Sequence, residues 1–315
     1  YDEFMCPAGH AGGLVIAAYP HLALQELTLD AWMGPGHPLS GETMAFFQVT
    51  DTGAVVSLAD NEARRTASPQ HPVLVLVRRT MDERPGLGGF PGPDLTLPEA
   101  AEAFIATTHA QYAQHWEEYF GEHEEDHPGG VRFMFSDEPY ILGRAGGLPL
   151  SNYLLKEFYH DHGYALETHL EALCFAREDS APIRAASATK FDYWWTVNRL
   201  FNANFMQPMA TWCEEHDLLF TGHLMEHEWP SPRSHPSAMA ALRWMHAPGA
   251  DLLGFQFEPT TPQKNGLYLL NLLEIRSVKQ QLGRRWMLVE TCGGAGYETA
   301  FEIFKPLEDL VLAFG

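Results

Sequence analysis

Short unbroken apolar runs along this chain alternate with longer stretches in which apolar residues recur every three or four positions. The runs are Val131-Arg132-Phe133-Met134-Phe135, Leu218-Leu219-Phe220, Asp251-Leu252-Leu253-Gly254-Phe255 and Trp286-Met287-Leu288-Val289. Apolar runs of this length predict strands buried on both faces, as in a parallel sheet. The periodic stretches predict helices. Phe104, Ile105, Thr108, Tyr112, Trp116 and Phe120 form one long amphipathic pattern, opened by the capping-box spacing Thr96-Leu97-Pro98-Glu99. Further helical patterns run over residues 154–162, stopped by Gly163, over 166–176, over 192–216, where Pro208 should kink or interrupt it, over 269–281 and around 298–304. The closing Leu310-Val311-Leu312-Ala313-Phe314-Gly315 reads as a strand cut at its end, and we take the chain as a fragment of a longer polypeptide.

Strand, helix, strand, helix in that order implies parallel strands joined by right-handed crossovers. No G-x-G-x-x-G or P-loop spelling favours an open nucleotide-binding sheet. Acids sit where the runs end: Ser136-Asp137-Glu138-Pro139 after the first, Thr221-Gly222-His223 and then Glu226 after the second, and Glu290 after the last. Such residues recurring at the C-terminal ends of successive strands predict a (β/α)8 TIM barrel. The expectation is one partial barrel over residues 1–315, truncated at both ends. Short β-like runs at 45–50, 54–58 and 73–77, separated by turn residues such as Asp51-Thr52-Gly53, predict a small β-rich excursion at about 39–85, and the Gly/Pro-rich stretch 85–93 leads back.

Composition narrows the partners. Against 20 basic residues stand 41 acidic ones, a formal charge of −21, which would repel a nucleic-acid backbone or an anionic membrane surface. No stretch approaches the roughly 20 consecutive apolar residues that cross a bilayer, so no membrane insertion is expected. Cys6, Cys174, Cys213 and Cys292 are far apart with no C-x-x-C pair, which argues against a zinc ribbon or a disulfide scaffold. The compartment and the oligomeric state stay open, a secreted or periplasmic setting included.

Carboxylates gathered at one end of a sheet suit glycoside hydrolysis, where one carboxylic acid protonates the departing oxygen and one carboxylate attacks or activates water. Glu138 is the candidate acid, because an Asp-Glu-Pro strand end points a carboxyl into the pocket beside another negative charge, and burial with that charge would raise its pKa. Its partner is Glu290, which precedes the Gly-rich Thr291-Cys292-Gly293-Gly294-Ala295-Gly296 segment, with Glu226 as the rival, either as base or as metal ligand. Asp2, Glu3 and Asp137 suit sugar hydroxyls or a hard cation, Tyr1 and Trp229 suit the face of a sugar ring, and His223 completes the binding set.

Several motifs occur in a consistent order: Tyr1-Asp2-Glu3 with Pro7-x-Gly9-x-Ala11-Gly12-Gly13, Tyr119-Phe120-Gly121 before Phe135-Ser136-Asp137-Glu138-Pro139, Thr221-Gly222-His223-x-x-Glu226, and Pro248-Gly249-x-Asp251. Together they resemble the α-L-rhamnosidase-like glycoside hydrolases, family 106 and its relatives, over nearly the whole chain. The resemblance implies a (β/α)8 catalytic domain acting on glycosides or glycans, within a longer polypeptide carrying β-rich domains, and for some members a need for calcium.

Two other classes compete. His223-Leu224-Met225-Glu226-His227 has the H-x-x-E-H spelling of inverted zinc metallopeptidases, a chemistry that needs both histidines on one helix face. Pro230 and Pro232 close behind make a helix there hard to build. The other alternative is a carbohydrate-binding barrel without catalysis.

Overall fold

The structure, a computed structural model, describes residues 8–51, 55–81, 91–121, 130–142, 147–175, 183–224, 235–253, 266–293, 295–297 and 299–315. It contains two sheets. The first is antiparallel and runs in the order β3-β2-β4-β1-β6, from β1 (Gln25–Trp32), β2 (Glu42–Val49), β3 (Val55–Leu58), β4 (Val73–Thr80) and β6 (Leu148–Pro149). The second is parallel, in the order β5-β7-β8-β9, from β5 (Phe133–Asp137), β7 (Leu219–His223), β8 (Ala247–Leu253) and β9 (Leu288–Gly293).

A complete (β/α)8 barrel is therefore not what the chain forms. Among the described residues the parallel strands number four and curl as a half-barrel, and the antiparallel sheet stands beside them. The acid-tipped runs do become parallel strands, β5, β7 and β9, but β1 and the short β6 join the antiparallel sheet through pairs such as Leu27 with Arg78 and Glu26 with Pro149 and add nothing to the parallel one.

Alternation explains the antiparallel sheet. Val73, Val75 and Val77 turn to one face, where Trp32, Phe46 and Leu58 join them with Ala63 from the helix Asp60–Thr66. Leu76 and Leu27 turn to the other face and enter the main core. A period of two with both faces covered is what such a sequence dictates.

The parallel sheet has a different logic. Every residue of β8 is buried, and its first half, Ala247-Pro248-Gly249-Ala250, is made of small side chains because neighbouring backbones crowd it. A Cβ on Gly249 would strike the backbone of Gly222, and one on Gly222, whose φ is 137°, would strike that of Ser136. Helices on the outside supply the bulk of the core, with Phe158, Phe201, Phe205, Leu272 and Ile275 buried against Phe220 and Leu252.

Three local expectations need correction. The pattern from Phe104 to Phe120 is split into Ala100–Thr107 and His109–Trp116, because Thr107 and Thr108 turn their hydroxyls back onto the carbonyls of Ala103 and Phe104. The capping box does not form, since Thr96 bonds the Asp94 carboxylate through both its amide and its hydroxyl. Residues 310–314 are helical and not a strand: they finish the helix Phe301–Phe314, in which Lys305 and Asp309 pair one turn apart.

Pro208 acts as its chemistry requires. The helix Ile183–Phe201 widens into a π-turn at Asn202–Met206, and a new helix, Gln207–Glu215, begins with the proline in its first turn, where no amide proton is needed. No helix among the described residues is long and apolar enough to cross a membrane.

Candidate active site at the strand ends

Parallel pairing puts the ends of the four strands side by side and in register. Asp137 of β5 lies opposite His223 of β7, and Asp251 of β8 lies opposite Glu290 of β9. Asp137 is the last residue of β5, whereas Asp251 and Glu290 lie within β8 and β9, so these three side chains are carried by strand backbone, and Glu138 follows β5 directly. Ala8 donates its amide to the carbonyl of Asp137 at 2.7 Å, which brings the opening loop against the same end of the sheet.

His223 is the centre of the cluster. Only 1% exposed, it places Nε2 3.3 Å from Asp137 Oδ1 and 3.2 Å from Glu290 Oε2, while Nδ1 lies 3.3 Å from the carbonyl of Leu224. Both ring nitrogens thus face oxygen acceptors, an environment that suits a ring donating from each. The edge-on ring of Phe135, 5.6 Å away between centroids, closes one side.

The carboxylates differ in exposure. Glu138 is wholly buried, Asp251 is 3% exposed, and Glu290 keeps nearly half of its side chain open to solvent. The hydrogen bond from His223 holds the Glu290 carboxyl below its usual range, against the opposing pull of partial burial. Glu290 is thereby kept as a carboxylate with one face accessible.

Backbone strain collects here too. Among the four described non-glycine residues with positive φ are Glu138, at 38°, and Cys292, at 62°. Each costs about 1–3 kcal/mol, and such strain persists where the surrounding structure holds a side chain in place. Cys292 itself is no activated thiol, because burial and the nearby Glu308 raise its pKa. Cys213 is buried and pushed up to about 12.

Glu138, His223 and Asp251 present ligand atoms within 4.8 Å of one another. Two carboxylates and an imidazole make a donor set suited to a transition metal, and a poor match to the six to eight oxygens calcium takes. The described residues therefore do not fit the calcium that the resemblance implies.

Of the expected site residues, the structure brings together Asp137, Glu138, His223 and Glu290. Tyr1, Asp2, Glu3, Glu226 and Trp229 lie outside the described residues. Asp251 was missed as a site residue: the sequence reading placed it at the start of its strand, whereas β8 begins four residues earlier and carries Asp251 near its end. Its membership of the Pro248-Gly249-x-Asp251 motif was the available signal. The metallopeptidase spelling loses its helix, because His223 is the last residue of β7 and not a helical residue.

No protein-family model matches the chain, and no curated protein matches it in sequence. Among solved structures, a rhamnosidase from Novosphingobium sp. PP1Y aligns with a TM-score of 0.54 at 18% identity. The alignment covers 85% of this chain and 25% of that one, so the chain spans a quarter of its structural neighbour. At that identity the likeness concerns the fold alone.

Proposed function

We propose that this chain carries the catalytic residues of a glycoside hydrolase acting on α-L-rhamnosides or related sugars. The observation that carries the reading is the convergence of a wholly buried Glu138 and a half-open Glu290 on His223 at the strand ends. The ordered motifs in the sequence and the rhamnosidase neighbour in fold point the same way.

Glu138 is the general acid. Burial favours the neutral, proton-carrying form of a carboxyl, and Asp251 beside it adds negative charge. It gives its proton to the glycosidic oxygen as the bond to the anomeric carbon breaks, so that the aglycone leaves as a neutral alcohol. Glu290, held ionised by His223, either takes a proton from the water that attacks the anomeric carbon or attacks that carbon itself. Asp251 and Asp137 accept hydrogen bonds from sugar hydroxyls.

Hydrolysis of a panel of aryl glycosides, α-L-rhamnoside included, tests this directly. Release from one glycoside by the wild-type protein, lost in Glu138→Gln with the fold intact, is the expected result. Unchanged turnover in that variant would remove Glu138 from the chemistry, and sugar binding without any release would leave the non-catalytic carbohydrate-binding reading.

A further inference from the structure

The opposite end of the parallel sheet has the opposite electrostatics. We infer that the face where these strands begin holds a binding site for an oxyanion, built from Arg243 and Arg284 around Trp244. These residues, with Ala210, Thr211, Glu214 and Leu282, line a cavity of about 330 Å³. Trp244 stands just ahead of β8, Arg284 just ahead of β9, and Thr211 and Glu214 lie on the helix that leads to β7. The cavity is therefore separated from the carboxylate cluster by the length of the strands.

Charge pairing divides the arginines, and Arg243 and Arg284, like Arg65, Arg276 and Arg285, fall on the unpaired side among the described residues. Arg64 pairs with Asp60, Arg78 with Glu42, Arg79 with Glu26 and Asp30, and Arg199 with Glu157 and Asp161. In a chain with twice as many acids as bases, a carboxylate is easily found. Yet among the described residues neither Arg243 nor Arg284 has one within ion-pair distance. Glu214, the one acid lining the cavity, is directed to His246, with 2.9 Å between Oε1 and Nε2.

The donors are also held in place. Arg284 reaches the carbonyl of Arg243 through Nη2 at 3.4 Å, and the Arg243 guanidinium lies 4.9 Å from the centre of the Trp244 ring. Arg284 Nε and the indole Nε1 of Trp244 are both buried and have no acceptor among the described residues. Leaving such donors unmatched costs about 1–3 kcal/mol each, a cost that an arriving acceptor would offset. Two guanidinium groups fixed beside one cavity fit a phosphate, sulfate or carboxylate group, each of which can take a forked pair of N–H bonds. This inference does not depend on the glycosidase reading.

Two-dimensional 1H–15N spectra of the full chain, titrated with sodium sulfate and separately with sodium glucuronate at ionic strength held constant with chloride, provide the test. The Trp244 indole N–H signal, assigned through Trp244→Phe, should shift saturably. Arg243→Gln and Arg284→Gln should each weaken the response about tenfold, as loss of a charge-assisted bond predicts. Arg243 is exposed, so its variant should fold even if the Arg284 variant does not. A stronger response to sulfate would assign the site to free or esterified tetrahedral anions, and a stronger response to glucuronate to sugar acids. No saturable shift with either anion, or a shift unchanged in Arg243→Gln, would overturn the inference.

Discussion

Two buried glutamates show how differently this molecule treats the same charge. Glu26, in the antiparallel sheet, is 1% exposed and lies 3.4 Å from the guanidinium of Arg79, which also reaches Asp30 at 3.5 Å. Glu138, at the end of the parallel sheet, is equally buried, but its close neighbours include Asp251 and His223, and His223 in turn meets Asp137 and Glu290. An acid matched by an arginine fixes the packing of a strand. An acid gathered with other acids around one histidine stores a chemical capacity, and strained backbone at Glu138 holds it there.

The comparison breaks most sharply at Glu138. Glu138→Gln removes the proton donor while keeping the shape, so turnover of a susceptible glycoside should fall about 10²–10⁴-fold with the melting temperature unchanged or raised. Steady-state hydrolysis and thermal unfolding on one preparation would check both halves. Arg79→Met should do the reverse. It removes the Arg79 guanidinium from the buried Glu26 and should cost about 1–3 kcal/mol in a urea titration, with activity per folded molecule unchanged. A catalytic loss in the Arg79 variant, or a stability loss in the Glu138 variant, would erase the distinction.

Sequence reading succeeded where a residue's own neighbours set its position. The acids at 137 and 138 follow from an apolar run that stops at a charge, and the helix expected over 154–162 follows from its period and from Gly163, whereas Glu290 lies inside β9 and not beyond it. It failed where distant backbone decides. Ala247-Pro248-Gly249-Ala250 has no apolar mark of a strand, because its small size answers the crowding of Gly222 and not a need to bury area. Asp251 was lost with it. Residues 310–314 are apolar enough for strand or helix, and only the Lys305–Asp309 pair and the preceding turns resolve the ambiguity. The barrel was an expectation from acids recurring at successive strand ends, and a parallel sheet of four strands beside an antiparallel one among the described residues overturned it.

Histidines sharpen the same contrast. His109 is buried between Phe104 and Trp212, its Nε2 has no hydrogen-bond partner among the described residues, and burial lowers its pKa to about 4. The unfolded chain takes up that proton near pH 6.5, the folded chain only near 4. Between those values the unfolded state binds more protons, so stability is complete above pH 6.5 and declines as the pH falls towards 4. The window is worth about 3 kcal/mol. His109→Leu should flatten this part of the pH–stability profile, measured by urea unfolding between pH 7 and 4.5. An equally steep profile in the variant would place the acid sensitivity elsewhere.

A matched pair of glycines offers the finest test. A Cβ on Gly147 would run into the Glu26 carboxylate, and a Cβ on Gly293 would lie 2.9 Å from Asp251 Oδ1 and 3.4 Å from Glu290 Oε1. Alanine at either position therefore presses a methyl group on a buried or half-buried carboxylate, structural at Gly147 and within the candidate site at Gly293. Gly147→Ala should lower stability by about 1–3 kcal/mol and leave turnover per folded molecule intact, because the group it displaces only holds β1 in place. Gly293→Ala acts on acids whose exact placement matters to a reacting bond, so turnover should fall about tenfold while unfolding shifts little. Identical effects of the two substitutions would mean that both carboxylate groups serve the fold alone. Opposite effects would locate the chemistry at the ends of the parallel strands without any change to an acid.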